Sequence, residues 1–317
     1  MKRILITGGS GFLGKNLALH LKKDKKFKII LSSRNIENLR KASAVTDCEF
    51  YPMDINSIDS IIDTFNNVMP DIVIHSAATK FVDLSEKYPE ECIQTNILGS
   101  INLLRVSKMF KVKGVIAIST DKAANPDFNV YSQSKNMMEK YFINNSKNSK
   151  VKIATVRFGN LCWSTGSVFN LWEEMSIKNK MVLSTGPEMR RFFIHVDQAC
   201  NLIIKVMKNL DKCNGYIITE YMKSAKISNI LNIWSEIYNV KWKKIKPRFG
   251  DKLDEYLFSP NEIKSANIFT LNKKKLIKID YSKQNLNYFK DVITSKNSLK
   301  LSSEEIKKLI LSKPRIL

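Results

Sequence analysis

The sequence predicts an α/β protein: a doubly wound parallel sheet with a smaller C-terminal substrate lobe. Three observations carry this reading. Short β-branched runs alternate with helix-length amphipathic stretches through the first half, the signature of βαβ units with helices on both sheet faces. A glycine-rich turn from Gly8 to Gly14 joins the first strand-like run to the first helical one. The chain has 317 residues, 44% of them hydrophobic, enough for a buried core and two lobes sharing a cleft.

Strands are expected at 3–7, 28–32, 48–51, 71–75, 114–119 and 152–157, with helices near 12–23, 57–67, 89–110 and 132–145. Beyond Gly159 the alternation weakens. Residues 160–191 read as loops and one helix, 215–219 as a further strand, and the remainder as helical and basic. Ser302 and Glu305 have the spacing of a capping box ahead of a last helix. Residues 1–165 are therefore expected to form the nucleotide-binding domain, with a return strand near 190–220. Residues 166–317 are mainly the substrate lobe, interleaved with it.

Composition narrows the function classes. The net charge of +22 is mostly lysine spread in surface-like clusters, and no nucleic-acid-reading motif accompanies it, so no nucleic-acid partner is expected. No apolar run is long enough to span a bilayer, and the opening Met1-Lys2-Arg3-Ile4-Leu5-Ile6 enters a strand directly, without a visible signal peptide. Cys48, Cys92, Cys162, Cys200 and Cys213 are scattered without CxxC spacing, which suits a reducing cytoplasm and argues against a disulfide framework or metal site. His75 and His195 sit in apolar, strand-like surroundings and read as structural.

The turn Gly8-Gly9-Ser10-Gly11-Phe12-Leu13-Gly14 has GxxGxxG spacing. Glycines there permit a tight turn and close approach of a pyrophosphate to the N–H groups of a helix start. An acid ending the second strand would hold the ribose 2′-hydroxyl of NAD, whereas small polar residues and Arg suit the 2′-phosphate of NADP. This chain has Ser32-Ser33-Arg34-Asn35, so NADP is the expected cofactor, with Ser33 and Arg34 at the phosphate. Asp54 is placed either to meet the adenine or to serve as a turn aspartate.

The fifth strand ends in Thr120-Asp121-Lys122, and Tyr131 and Lys135 follow four residues apart, on one helical face. A lysine beside a phenol favours phenolate, a base able to take an alcohol proton while the carbon gives up hydride. The bland alternative for Asp121 and Lys122 is a surface ion pair.

These residues resemble the extended short-chain dehydrogenase/reductase superfamily, a Rossmann-type fold, and within it the soluble UDP-N-acetylglucosamine 4,6-dehydratases that invert C5. Residues 7–14, 75–80, 95–99, 119–135, 156–193 and 247–253 carry the likeness. Thr-Asp-Lys is typical of the inverting enzymes, where retaining ones show Thr-Asp-Glu. The resemblance implies Tyr131, Lys135 and Thr120 at C4 oxidation, Lys122 as the C5 base and Asp121 as the C6 acid. It places Gly8, Ser10, Gly11, Phe12, Leu13, Gly14, Ile55, Ala77, Ala78, Lys80 and Asn96 at the cofactor. Lys80, Asn160, Ser167, Arg191 and Arg248 fall to the nucleotide sugar, UDP-N-acetylglucosamine. A homo-oligomer, dimer or hexamer, is also implied.

The chain departs from the family pattern in places. Glu188-Met189-Arg190-Arg191 stands where Arg-Met-Thr-Arg is usual, Trp163 near a usual glycine, and Asp254 near a usual histidine. The lost arginine and added tryptophan bear on which sugar is taken. Other readings of the same fold are a retaining dehydratase, a 4-epimerase or a 4-keto reductase. A non-catalytic NADP-binding sensor or scaffold would not need Tyr131 and Lys135.

Overall fold

The computed structural model describes residues 1–127, 129–246, 251–282 and 289–316. Strand β1 (Lys2–Thr7) leads into helix α1 (Phe12–Lys22), and the alternation continues through β2 (Phe27–Ser32), α2 (Ile36–Thr46), β3 (Glu49–Phe50), α3 (Ile58–Val68) and β4 (Ile72–His75). Helices α4 (Val82–Lys87) and α5 (Pro89–Ile93) pass through a π-helical turn, Gln94–Leu98, into α6 (Gly99–Met109). Then come β5 (Gly114–Thr120), α7 (Val130–Ser146) and β6 (Lys152–Phe158). The second half contains β7 (Asn160–Leu161), α8 (Val168–Asn179), β8 (Met181–Ser184), β9 (Arg190–Ile194), α9 (Val196–Lys208), α10 (Leu210–Cys213), β10 (Ile217–Thr219) and β11 (Ser224–Lys226). It closes with α11 (Ile227–Tyr238), β12 (Lys241–Lys244), β13 (Ala266–Leu271), β14 (Lys274–Ile279) and α12 (Ser303–Leu311).

Among the described residues nine strands form one sheet, ordered β13-β14-β10-β6-β5-β4-β1-β2-β3. Pairing is parallel from β10 to β3, and the strand order reverses between β1 and β4. That is the Rossmann-type arrangement, whose ligand crevice opens beyond the carboxyl ends at the reversal. Thr7 and His75 are in register there. The central strands are apolar without alternation because both faces are covered. Ile4 and Ile6 enter one core layer with α1 and α9, whereas Leu5 enters the other with α3, α6 and α7.

The structure corrects the reading of the second half. Residues 160–191, read as loops and one helix, also contain β7 and β8, and the stretch taken as helical contains β11, β12, β13 and β14. The β13–β14 hairpin is antiparallel and extends the main sheet. Its turn residues Asn272 and Lys273 both have positive φ, 48° and 64°, the geometry of a two-residue hairpin turn. Lysines at Lys274, Lys275 and Lys278 mask the strand periodicity. Helix α2 also went unanticipated; Asn35 caps it, its side chain accepting from the Asn38 N–H at 2.8 Å. The capping box at Ser302 and Glu305 is present, and β10 lies within the strand expected at 215–219.

One buried ion network ties α7 to the C-terminal segment. Arg157, on β6, is fully buried and donates to both carboxylate oxygens of Glu139 on α7, at 2.9 and 2.6 Å. It also donates to both oxygens of Glu262, at 3.0 and 2.9 Å, and to the Leu257 carbonyl at 2.9 Å. Two carboxylates around one guanidinium hold it charged despite burial.

Candidate active site

The glycine turn makes one half of the site. Gly8 has φ +67°, and a Cβ on it would lie 2.8 Å from the Ala77 nitrogen, a conformation and an approach that suit glycine. A Cβ on Gly14 would lie 2.5 Å from the Gly8 carbonyl oxygen, so α1 can close onto the turn only without one. Gly11 precedes α1 and supplies no side-chain cap, leaving the first N–H groups of the helix for a ligand. Gly8, Ser10, Gly11, Phe12, Leu13, Gly14, Ala77, Ala78, Lys80, Thr120, Tyr131 and Lys135 line a common cavity of about 400 Å³.

The other expected cofactor residues lie beside this cavity in distinct ways. The Ser10 and Ser33 hydroxyls are 2.8 Å apart. Arg34 is half exposed, with Glu91 at 3.9 Å. Asp54 accepts from the Asn56 N–H at 3.0 Å, the geometry of a turn aspartate. Ile55 is buried against Gly99 in the π-helical turn region. Asn96 is 1% exposed and does not line the cavity. It accepts from the Thr79 N–H at 2.8 Å and donates to the Thr79 carbonyl at 2.9 Å and the Ser134 hydroxyl at 3.0 Å. Asn96 thus pins the chain after β4 and does not itself face the cavity where it was expected to meet the cofactor.

The reactive groups converge at the end of β5. Tyr131 and Lys135 are both buried, but the electrostatics differ from the sequence expectation. The Lys135 ammonium donates to the Ile118 carbonyl at 2.6 Å, and burial pushes its pKa down to about 8. Burial pushes the Tyr131 phenol up to about 12, and the cation that opposes this is Lys122. Thr120 is hydrogen-bonded to the phenol.

Lysine 122 departs from expectation too. Its ammonium donates to Asp121 Oδ1 at 3.1 Å and Asn160 Oδ1 at 3.2 Å, and lies 3.7 Å from Glu255 Oε1. Burial works against its charge, yet the Asp121 and Glu255 carboxylates hold its pKa above the ordinary lysine value. The pair is not a surface ion pair: Asp121 is fully buried, and its Oδ2 has no hydrogen-bond partner. Both carboxylates thus favour the protonated form of Lys122 in the free site, against the depressed pKa that a role as base calls for.

A second cavity of about 360 Å³ adjoins the first, and Lys80, Lys122 and Asn160 line both. Ser167, Arg191 and Glu255 line the second alone. Lys80 crosses the junction, donating to the Thr165 carbonyl at 2.7 Å. Ser167 precedes α8, with its hydroxyl buried and unbonded. Arg191 lies 3.8 Å from Glu255 Oε1. Phe169, Trp172 and Phe193 form an apolar wall, while Lys122, Arg191 and Glu255 make the polar end. Arg248 lies outside the described residues.

Two departures thought to bear on the sugar do not reach this cavity. Trp163 is fully buried among Phe169 and Trp234, with its indole N–H donating to the Leu309 carbonyl at 3.0 Å. Glu188 pairs with Lys244 at 3.1 Å, away from the cavity. His75 is buried between the Thr7 and Ser100 hydroxyls, its pKa pushed down to about 3 by burial. His195 caps α9. The five cysteines are free and buried. Among the described residues no cluster of His, Cys, Asp and Glu could hold a metal ion, and no helix is long and apolar enough to cross a membrane.

Glu255 went unnoticed in the sequence. It is 3% exposed, faces both cations of the polar end, and burial pushes its carboxyl above the ordinary range. The signal available was its place, two residues after the matched segment ending at Leu253.

A glycine cradle at the sheet's reversal point, next to a buried Tyr–Lys pair, defines an extended short-chain dehydrogenase/reductase. The chain belongs to the polysaccharide biosynthesis protein family, whose sequence profile matches residues 4–275. It is 32% identical to a UDP-glucose 4-epimerase of Rickettsia bellii, across 98% of this chain and 96% of that one. It is also 32% identical to the inverting UDP-N-acetylglucosamine 4,6-dehydratase of Campylobacter jejuni, across 82% and 78%. The structure of Pen from Bacillus thuringiensis superposes with TM-score 0.89 over 100% of this chain and 98% of that one, at 27% identity. A UDP-glucose 4-epimerase from Bifidobacterium longum, solved with NAD+ and UDP, gives TM-score 0.70 over 81% and 89%, at 18% identity, and shares the fold.

Proposed function

We propose that this chain is an NADP-dependent UDP-N-acetylglucosamine 4,6-dehydratase that inverts C5. The observation that carries the reading is the Asp121–Lys122 pair, 3.1 Å apart and buried beside Tyr131 where the two cavities meet. Oxidation at C4 alone, as in an epimerase or a ketoreductase, needs a tyrosine and a lysine. Elimination across C5 and C6 needs a second base and an acid, and this site has both.

The glycine cradle, the bare start of α1 and the Ser33–Arg34 end of β2 fit a dinucleotide with a 2′-phosphate. When bound, its nicotinamide supplies a hydride acceptor and the same hydride for return. The protein's own groups handle protons and position. Tyr131 takes the C4 hydroxyl proton, and Lys135, which lines the same cavity, would help hold the cofactor. Lys122 removes the C5 proton, acidified by the C4 ketone, and Asp121, a carboxylate beside Lys122 in the free site, protonates the departing C6 hydroxyl after it has itself taken up a proton. Arg191 suits the diphosphate, because a guanidinium binds its oxygens bidentately. The apolar wall of Phe169, Trp172 and Phe193 excludes water from the second cavity.

The test is an NMR time course of the protein with NADP and UDP-N-acetylglucosamine in deuterated water. The expected product is the 4-keto-6-deoxy sugar, UDP-2-acetamido-2,6-dideoxy-4-hexulose, deuterated and inverted at C5, with Lys122→Ala abolishing it. A second reading, 4-epimerase, is favoured by the Rickettsia bellii relative that spans nearly the whole chain. It would give a C4 epimer carrying no deuterium at C5.

A further inference from the structure

A base that is already protonated cannot take a proton, and the Lys122 ammonium sits between Asp121 and Glu255. The structure also holds a second buried carboxylate beside that ammonium. Glu255 faces the second cavity at 3% exposure, with Lys122 Nζ at 3.7 Å and Arg191 Nε at 3.8 Å. Its backbone is fixed: the Glu255 N–H donates to the Ser295 hydroxyl at 3.0 Å, and the neighbouring Asp254 is held by Arg190.

Resting on the dehydratase reading, we propose that Glu255 is the proton acceptor for Lys122, taking one ammonium proton as the sugar fills the cavity and so freeing the amine that attacks C5–H. In that step one N–H bond of Lys122 breaks, one O–H bond forms on Glu255, and the electron pair stays on Nζ. Nothing is oxidised or reduced. The amine then takes the C5 proton and returns to ammonium.

Two changes on binding drive the transfer. Nucleotide sugar displaces water, and in a dry cavity a neutral pair is favoured over separated charges. The diphosphate also competes for Arg191, the cation that together with Lys122 holds Glu255 ionised. The charged groups facing Glu255 are Lys122 and Asp121 from the turn after β5, Arg191 from β9 and Lys252 from its own segment. Tyr131, from α7, faces Lys122. Burial raises the Glu255 carboxyl in the free site already, but Asp121 and Glu255 raise Lys122 as well, so the transfer waits for the changes that binding brings.

The experiment compares E255Q and E255D with the wild type, holoenzyme in each case, using UDP-N-acetylglucosamine in deuterated water. Three quantities are read: the burst of reduced nicotinamide absorbance, deuterium entry at C5, and the pH profile of turnover. For E255Q, C5 exchange and dehydration fall about 100-fold or more, the burst stays within about twofold, and E255D recovers part of the loss. If E255Q turns over at the wild-type rate, or faster with its optimum at lower pH, Glu255 is only a counter-charge to Lys122 and the proposal is overturned. Equal loss of burst and exchange also overturns it, since Glu255 would then organise the whole site. Should E255Q not fold, E255D decides: exchange slowed about tenfold supports the relay, and wild-type exchange overturns it. A wild-type product epimerised at C4 without C5 deuterium would instead sink the dehydratase reading, an outcome distinct from all of these.

Discussion

Arg190 and Asp254, two positions at which this chain departs from the pattern of the family it resembles, meet in one ion pair. The guanidinium donates to both carboxylate oxygens, at 2.6 and 2.5 Å. A threonine, the residue of the resembled pattern at the Arg190 position, carries no charge and could not form it. The pair lies between the residues that matter: Arg191 follows Arg190 on β9, and Glu255 follows Asp254. It docks the segment bearing Glu255 onto the strand bearing Arg191.

Arg190→Ala and Asp254→Ala are therefore each expected to cost about 2 kcal/mol in stability, the worth of hydrogen bonds to charged groups. A double-mutant cycle by urea denaturation should return a coupling of about 1 kcal/mol or more. The Arg190 guanidinium holds the Asp254 carboxyl below the usual range. The coupling is thus fully present above the unfolded carboxylate value of about 4 and is lost as pH falls through the lower folded value. Coupling unchanged at the lowest pH at which the fold survives would contradict the pairing.

Lys135 illustrates a conflict between stability and chemistry. Burial pushes it down to about 8, so between that value and the ordinary lysine value near 10.4 the unfolded chain binds more protons than the native one. Stability contributed by this group rises with pH across that window. Lys135→Met should raise the melting temperature at pH 7, by the order of 1 kcal/mol after loss of the bond to the Ile118 carbonyl. The gain shrinks as pH climbs above about 8, and C4 oxidation is lost throughout. A variant less stable than the wild type at pH 7 would show that the hydrogen bond outweighs the desolvation.

Cofactor choice has a direct test at the end of β2. Arg34 is half exposed and, among the described residues, has Glu91 at 3.9 Å as its ion-pair partner, a long contact that a 2′-phosphate could replace. Arg34→Ala should weaken NADP binding about tenfold or more, roughly 1.4 kcal/mol, and leave NAD nearly unchanged. Glu91→Gln should tighten NADP by removing a nearby negative charge. Fluorescence titration with both dinucleotides reads these differences, and equal affinity of the wild type for NAD and NADP would remove the basis for the assignment.

Much of the nucleotide half was legible because its determinants are local. Gly8, Gly11 and Gly14 act within one turn, and Tyr131 and Lys135 within one turn of helix. The electrostatics were not legible, because they depend on partners far apart in sequence. Lys135 spends its ammonium on the Ile118 carbonyl, and Lys122 answers to Glu255 from a segment far along the chain. The β13–β14 hairpin was hidden by lysines on its exposed positions, and α2 by a polar face with few apolar residues. Asn96 matched a motif for a reason the motif does not state: it braces the loop after β4 and never meets the cavity.

Trp163 gives the sharpest separation of fold from function. It has φ +62°, a left-handed conformation in which a bulky side chain costs of the order of 1 kcal/mol or more and glycine is at ease. Yet the indole is fully buried, in contact with Phe169 and Trp234, and its N–H donates to the Leu309 carbonyl of α12. Trp163→Gly relieves the backbone but leaves a cavity, and truncating a buried tryptophan costs about 3–5 kcal/mol. The net expectation is a loss of about 2–4 kcal/mol by chemical denaturation, with α12 exchanging its amide hydrogens faster. The indole lines neither cavity, so the variant should keep the wild-type KM for the nucleotide sugar at temperatures where it is folded. A raised KM with unchanged stability would return Trp163 to the substrate site, where the sequence alone had placed its influence.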